Sequence, residues 1–353
     1  MTGRKLPLLG RRPSLPARVG FRAAICLSLA LAANAPAAHA QAVADFYRGK
    51  TVNMLIGGPP GGEYDLHARH VARHIGRHIP GNPNVVTQNI AGAAGIKMAN
   101  YLYQQAPRDG TYLAVIHNAL PASQVVGIEG IGFDAAKFRW LGTIAPGAET
   151  LAVWHTAGVA TIDGARQRQI IVGAAARSGI LYTFPVMMNE FFGTKFKIVT
   201  GYAGGNQINF AMERGEVEAR NNTWSSWKTI KPAWLAEKKI AIIAQIGPRT
   251  AGLDAPSLEE LAKNPAERAV IELIASAAHL GRPIALNPGV PEERVAALRA
   301  AFLATMADPS FRADAAALNF EVAPVDGASM QRFVEQLMRT PTNVAVRARQ
   351  LME

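Results

Sequence analysis

The sequence predicts an α/β protein built in two lobes, each a helix-flanked, mainly parallel sheet. Three observations carry that reading. Short apolar runs alternate with helix-length amphipathic stretches, the alternation occurs in two successive sets, and Gly-rich turns stand where strands hand over to helices.

The first set opens with TVNMLIG, Thr51 to Gly57, a buried strand that ends at the glycines and prolines of GGPPGG. A helix from about Asp65 to His78 follows. Asn84 to Gln88 is a second strand, Ile96 to Gln105 a second helix and Tyr112 to His117 a third strand. In the second set the strands are Ile170 to Ala174, Lys197 to Thr200, Val217 to Asn221 and Ile240 to Gln245, with helices at Tyr182 to Phe192 and Asn206 to Arg214. Pro291 then opens a helix that closes near Asp308-Pro309, and NFEVAP (Asn319 to Pro324) precedes a last helix ending near Met338. No internal repeat or low-complexity linker separates the sets.

The first 40 residues read as a secretory signal peptide rather than as part of the fold. Arg4, Lys5, Arg11, Arg12, Arg18 and Arg22 make a basic segment without acids, Ala23 to Ala33 is apolar, and Ala38-His39-Ala40 is a small-x-small cleavage site. The Arg11-Arg12 pair lacks the context of a twin-arginine signal, so ordinary secretion is expected. No later apolar stretch approaches the roughly 20 residues a membrane helix needs. Those six Lys and Arg belong to a total of 37, so the remainder carries 31 against 26 acids and the formal net charge falls from +11 to +5. Mixed charge of that size argues against a nucleic-acid partner. Cys26 is the single cysteine and lies in the leader, which excludes disulfides and thiolate metal sites from the mature chain and suits an oxidising compartment.

A Gly-rich turn between a strand and a helix aims backbone N–H groups and the positive end of the helix dipole into the space above the sheet. Such turns or small polar strand ends occur at Pro60-Gly61-Gly62, at Ala91 to Gly95 with Ala93 and Gly95, at His117-Asn118, at Gly173 to Gly179 with Ala175, and at Gly204-Gly205-Asn206. Asn222 and Trp224 stand just past a strand end, where Trp224 would wall a cleft while Trp227 and Trp234 serve as core. Loops of this kind on two lobes describe a ligand cleft. Dinucleotide and phosphate-loop spacings are missing, as are GxSxG, HExxH and a convincing carboxylate pair, so no enzyme, cofactor or metal is expected. His67, His70, His74 and His78 share one arc of the first helix beside Ala68, Val71, Ala72 and Ile75. Without an acid in the stripe they read as the covered edge of a core.

Five segments carry a family resemblance: PPGGEYDLHAR (Pro59 to Arg69), QNIAGAAG (Gln88 to Gly95), APRDGTYL (Ala106 to Leu113), GYAGGNQINFAMERGEVEAR (Gly201 to Arg220), and PGVPEERVAALRAAF with ADPSF (Pro288 to Phe311). In this order they resemble the solute receptors of the tripartite tricarboxylate transporter family. The resemblance implies a periplasmic-binding-protein-like (Venus-flytrap) fold, with residues 41–146 and 276–353 as lobe one and 147–275 as lobe two. It also implies a monomer that closes on a small carboxylate and docks transiently on membrane permease subunits. By that resemblance Pro60, Gly61, Gly62, Tyr64 and Asp65 form the first ligand loop, Ala93 and Gly95 the second, and Ala175, Arg177 and Ser178 the facing one. Glu63 and Arg177 depart from the family's small residues. They leave two readings open, a zwitterion paired with both or a pair of solvent-facing side chains. A signalling receptor and an uncatalogued periplasmic enzyme stand as alternatives.

Overall fold

A computed structural model describes residues 2–3, 41–58, 60–175, 179–202 and 204–352. The proposed leader, apart from residues 2–3, and Arg177 and Ser178 lie outside the described residues. The described strands are β1 Thr51–Ile56, β2 Asn84–Asn89, β3 Tyr112–Val115, β4 Arg139–Thr143, β5 Glu149–Trp154, β6 Gln169–Gly173, β7 Lys195–Val199, β8 Ala219–Thr223, β9 Ile240–Ile246, β10 Pro283–Leu286 and β11 Val325–Asp326. They form two sheets, ordered β11-β4-β10-β3-β1-β2 and β7-β6-β8-β5-β9.

Strand β1 shows why the first sheet is central. Val52, Met54 and Ile56 enter one core, with helix Glu63–Ile75 and helix Glu292–Ala307, while Leu55 enters another with Met98, Leu102 and Trp140. Alternate side chains of a strand point to opposite faces, so burial of both sets means helices cover both faces. The second sheet repeats the arrangement: Leu151 and Val153 of β5 face one core with Phe184 and Ile271, and Ala152 and Trp154 face another with Trp227 and Trp234. Fully buried aromatic and aliphatic side chains of this kind each contribute about 2–3 kcal/mol.

The two-lobed α/β class stands, but the sheets are mixed rather than mainly parallel. β1 pairs in parallel with β2 and β3, and β6 with β7 and β8. β10 runs antiparallel to β3 and β4, β11 to β4, and β5 to β8 and β9. Four of these antiparallel strands, β4, β5, β10 and β11, lie in stretches where the sequence pattern predicts none. The chain leaves the first sheet along β4, enters the second along β5 and returns through β10, and this route reverses strand direction. Helices Pro265–Leu280 and Thr342–Met352 also lie outside the sequence expectation. The second of them packs its Val344, Ala348 and Leu351 into the core beneath the second sheet.

The outgoing crossing, residues 144–148, touches the returning one. Gly147 N–H donates to Ala278 O at 3.0 Å, and Arg282 N–H donates to Thr143 Oγ1 at 3.0 Å. Gly281 has φ +61°, and a Cβ there would lie 2.0 Å from Ala145 O and 3.0 Å from Pro146 Cα. Only glycine allows this approach. Gly281→Ala is therefore expected to cost about 2 kcal/mol or more, whereas Gly158→Ala, at φ +66° in open space, should cost only about 1 kcal/mol of backbone strain. Urea unfolding of the two variants checks this, and equal losses would refute the close-contact account.

Candidate functional site

Asp65 organises the loop after β1. It is 2% exposed, and its Oδ2 accepts from Gly61 N–H and from Arg69 Nε, both at 2.9 Å, while Oδ1 accepts from Asn89 Nδ2 at 2.9 Å. Asn89 Nδ2 also donates to Gly58 O, and the Arg69 guanidinium continues to Thr87 Oγ1 and Asn89 Oδ1. The Arg69 bond above all, with the Gly61 amide and Asn89, holds the Asp65 carboxyl down at about 2. The amide of Gly61 is thus engaged within the protein. Around it, Pro60 is exposed, Gly61 sits at φ +77° in open space, and Gly62 is half-buried in extended conformation at the helix N-terminus. Glu63 is the first helical residue, and its side chain lies outside the description.

The next two loops close on each other. Ala93 and Ala94 are exposed with φ near +50°, and Gly95, buried at φ +91°, brings its backbone against His117, whose Cβ a side chain would meet at 3.1 Å. His117 stacks on Tyr64 with ring centroids 4.7 Å apart, and Tyr64 Oη accepts from Asn118 N–H at 3.1 Å. Asn118 Nδ2 donates in turn to Ala277 O of helix Pro265–Leu280. Burial pushes His117 down to about 4 and the Tyr64 phenol well up, so both are neutral at pH 7. The structure therefore gathers Tyr64, His117 and Asn118 into one group.

In the second lobe, Ala175 O accepts from Gly201 N–H at 3.0 Å. Gly205 serves a buried arginine: its carbonyl accepts from Arg220 Nη1 at 2.5 Å, and a Cβ would meet that same nitrogen. Asn206 is exposed, Asn222 O accepts from Thr150 Oγ1 at 2.8 Å, and Trp224 N–H donates to Ala148 O at 2.9 Å. The Trp224 ring packs beside Leu253 and Ala255, while Trp227 and Trp234 are core. Sequence reading passed over Glu149, Arg220 and Asn221. Arg220 is 5% exposed, and its Nη1 and Nε also donate to Asn209 Oδ1 and Asn221 O. The signal was present in three successive polar residues, Arg220 to Asn222, on a strand with partners on both sides.

Between the lobes, beside the crossings, lies a cavity of about 520 Å3. Gly61, Leu66 and His67 line it from the first lobe, Asn206, Ser225 and Ile230 from the second. The lobes touch at its edge, where Thr229 Oγ1 donates to Asn319 O at 3.2 Å and Lys228 meets Glu321 at 3.8 Å.

The histidine stripe acquires acids from another helix. His74 Nε2 lies 2.9 Å from Asp314 Oδ2, His78 Nε2 lies 2.8 Å from Asp308 Oδ2, and His70 Nε2 lies 3.2 Å from Phe311 O. His70, His74 and Asp314 are close enough to recruit a metal ion. Their protons oppose it. Arg73 donates to His70 Nδ1 and Arg77 to His74 Nδ1, so each ring carries its hydrogen on Nε2, the nitrogen a metal would need bare. The stripe is a hydrogen-bonded seam to helix Pro309–Ala317.

Two sheets joined by crossing segments, with Gly-rich turns at their strand ends, define the fold of two-lobed periplasmic binding proteins. Within that class the chain is similar to a TctC solute-binding protein from Polaromonas, with TM-score 0.65 at 19% identity over 84% of this chain and 98% of that one. It is also similar to an R. palustris protein solved with adipate, with TM-score 0.60 at 21% identity over 85% and 97% of the two chains. MatC from Rhodopseudomonas palustris, solved with malate, gives TM-score 0.59 at 16% identity over 86% and 99%. No family model and no curated protein matches the sequence.

Two outcomes test this account. Asp65 has a folded pKa below its ordinary 3.8, so its contribution is present above pH 4 and is lost as the pH falls towards 2. Asp65→Asn should thus cost about 2 kcal/mol at pH 7, a loss that shrinks over that window in urea titrations. Zinc should leave the melting temperature unchanged, and a zinc-dependent rise that His74→Gln removes would overturn the proton-ordered seam.

Proposed function

We propose that the protein is a periplasmic solute-binding protein that captures a small carboxylate between its lobes and delivers it to a tripartite tricarboxylate-type membrane transporter. The observation that carries this reading is a pair of open helix ends. Helix Glu63–Ile75 of the first lobe and helix Ile180–Phe192 of the second each begin at a glycine, and among the described residues no side chain caps either one. First-turn amides left without internal partners bind anions, and here each lobe supplies a set. Neighbours of the same fold solved with adipate and malate agree with that chemistry.

In this reading, residues 41–146 and 276–353 form lobe one and 147–275 lobe two. Helix Thr342–Met352 then reaches from lobe one to the second core. Tyr64, Asn118, Ala93, Ala175 and Asn206 border the cleft, and Asp65 and Gly205 act behind it by fixing loop and arginine. The basic leader with its Ala38-His39-Ala40 site supports export to the periplasm. The binding cycle requires no catalytic group or cofactor. Ligand favours the closed form because it touches both lobes only there.

Malate and adipate at saturating concentration should raise the melting temperature and shrink the radius of gyration in solution scattering. At 100 times Kd the stabilisation is about 2.7 kcal/mol. A small carboxylate that binds yet leaves the scattering curve unchanged would sink the proposed clamp.

A further inference from the structure

Glu149 is the first residue of β5, six residues after β4 ends in the other sheet. Its partners across the sheet are Thr223 and Ile246, and those of Leu151 are Asn221 and Ala244. Glu149 and Asn221 therefore share one sheet face at the strand end nearest the crossing. Asn221 Nδ2 donates to Glu149 Oε2 at 3.3 Å. Asn221 is fully buried, and its Oδ1 has no hydrogen-bond partner. A buried amide oxygen without a donor costs roughly 1–3 kcal/mol, unless a ligand supplies one.

The first lobe brings a third oxygen. Tyr64 Oη accepts from Asn118 N–H, and Glu149 lies close enough for its charge to help raise the phenol's pKa. Among the described residues the titratable and charged groups facing Glu149 are Tyr64, with His117 stacked on it, from the first lobe, and Arg220 from the second. Arg220 acts only through its field, since its Nε and Nη1 donate to Asn221 O, Gly205 O and Asn209 Oδ1. The spot is rich in acceptors and poor in hydrogen-bonded cations.

We propose that Glu149, with Asn221 Oδ1 and the Tyr64 hydroxyl, receives a protonated amine, so that the ligand of the cleft is an amino-carboxylate rather than a plain diacid. The proposal rests on the solute-binding reading and moves the amine partner from Glu63 to a half-buried carboxylate. It explains the orphaned Asn221 oxygen, which an ammonium donor satisfies together with Glu149. It also explains how a glutamate can serve where burial pushes its pKa up to about 7, because a cation in contact holds it ionised. The sign of the pH effect follows. Below that value Glu149 is protonated and attracts an ammonium less, so affinity for an amine ligand rises from pH 6 to pH 8. Affinity for a ligand lacking the amine falls over the same range.

Calorimetry on the purified protein with pairs that differ only in the amine tests this: L-aspartate against succinate, L-glutamate against glutarate, L-phenylalanine against 3-phenylpropanoate, each at pH 6 and pH 8. In at least one pair the aminated member should bind about tenfold tighter or more at pH 8, less so at pH 6. Glu149→Gln should weaken it by roughly thirtyfold or more while sparing its partner, as expected when one charge of a desolvated pair is lost. The same substitution should raise the melting temperature of the unliganded protein at pH 8. A carboxyl whose folded pKa is raised costs stability once the pH exceeds its ordinary value, so a stabilised variant that has lost amine preference is not a misfolded one. If the diacids bind as well as or better than their aminated partners, or Glu149→Gln leaves the preference intact, the amine site is refuted and the carboxylate function stands. If no probe binds, both fall.

Discussion

The contact between the two crossing segments is the constraint on which the rest of the molecule depends. Ala145 O sits where a Gly281 side chain would be, and Gly147 is bonded to Ala278. The two passages between lobes are therefore packed as one unit. The returning passage then becomes β10, inserted between β3 and β4. The first sheet is thus incomplete until the second has been threaded, and most of its order comes from contacts distant in sequence. Such topology slows folding, because loop closure is costly before the distant contacts form. It also places the strand ends of both sheets around one junction, with Glu149 near enough to Tyr64 for its charge to help raise the phenol's pKa.

The lobes contribute unlike chemistry to that junction. In the first, Asp65 of the Gly-rich loop is bound to Arg69, and Tyr64, His117 and Asn118 beside it are uncharged at pH 7. In the second, Glu149 and Arg220 are both buried enough to shift their pKa values, the arginine down to about 10. Shape and hydrogen bonding thus come from one side and charge from the other. Under the proposed clamp closure would join them, and a ligand matching only one side would gain little from it.

Much of this was legible beforehand because local chemistry decided it. The strand TVNMLI, the Gly/Pro turn and the first helix appear where period and turn residues placed them, since β1 is buried on both faces and the helix follows at once. The crossing strands were not legible. RWLGT and ETLAVW are short, are followed by no helix of the predicted kind, and gain strand conformation only from partners far along the chain. The site shows the same divide. Glycines that open a loop are visible in sequence, but that Asp65 would consume the Gly61 amide, and that Gly205 would yield space to Arg220, depends on which side chains fold back upon them. Glu149 was missed because it opens a strand the sequence pattern does not show, between partners β8 and β9 that lie far along the chain.

Helix Thr342–Met352 adds a further connection. The chain leaves helix Gly327–Leu337, which packs with the first sheet, and after a short link docks on the second core beside helix Pro265–Leu280. Two tethers between rigid bodies still allow them to swing and to twist. A third tether, docked by Val344, Ala348 and Leu351 in the second core, restrains the twist. In the proposed clamp, opening is then closer to a single rotation, and the two halves of the site would meet in the same register at each closure.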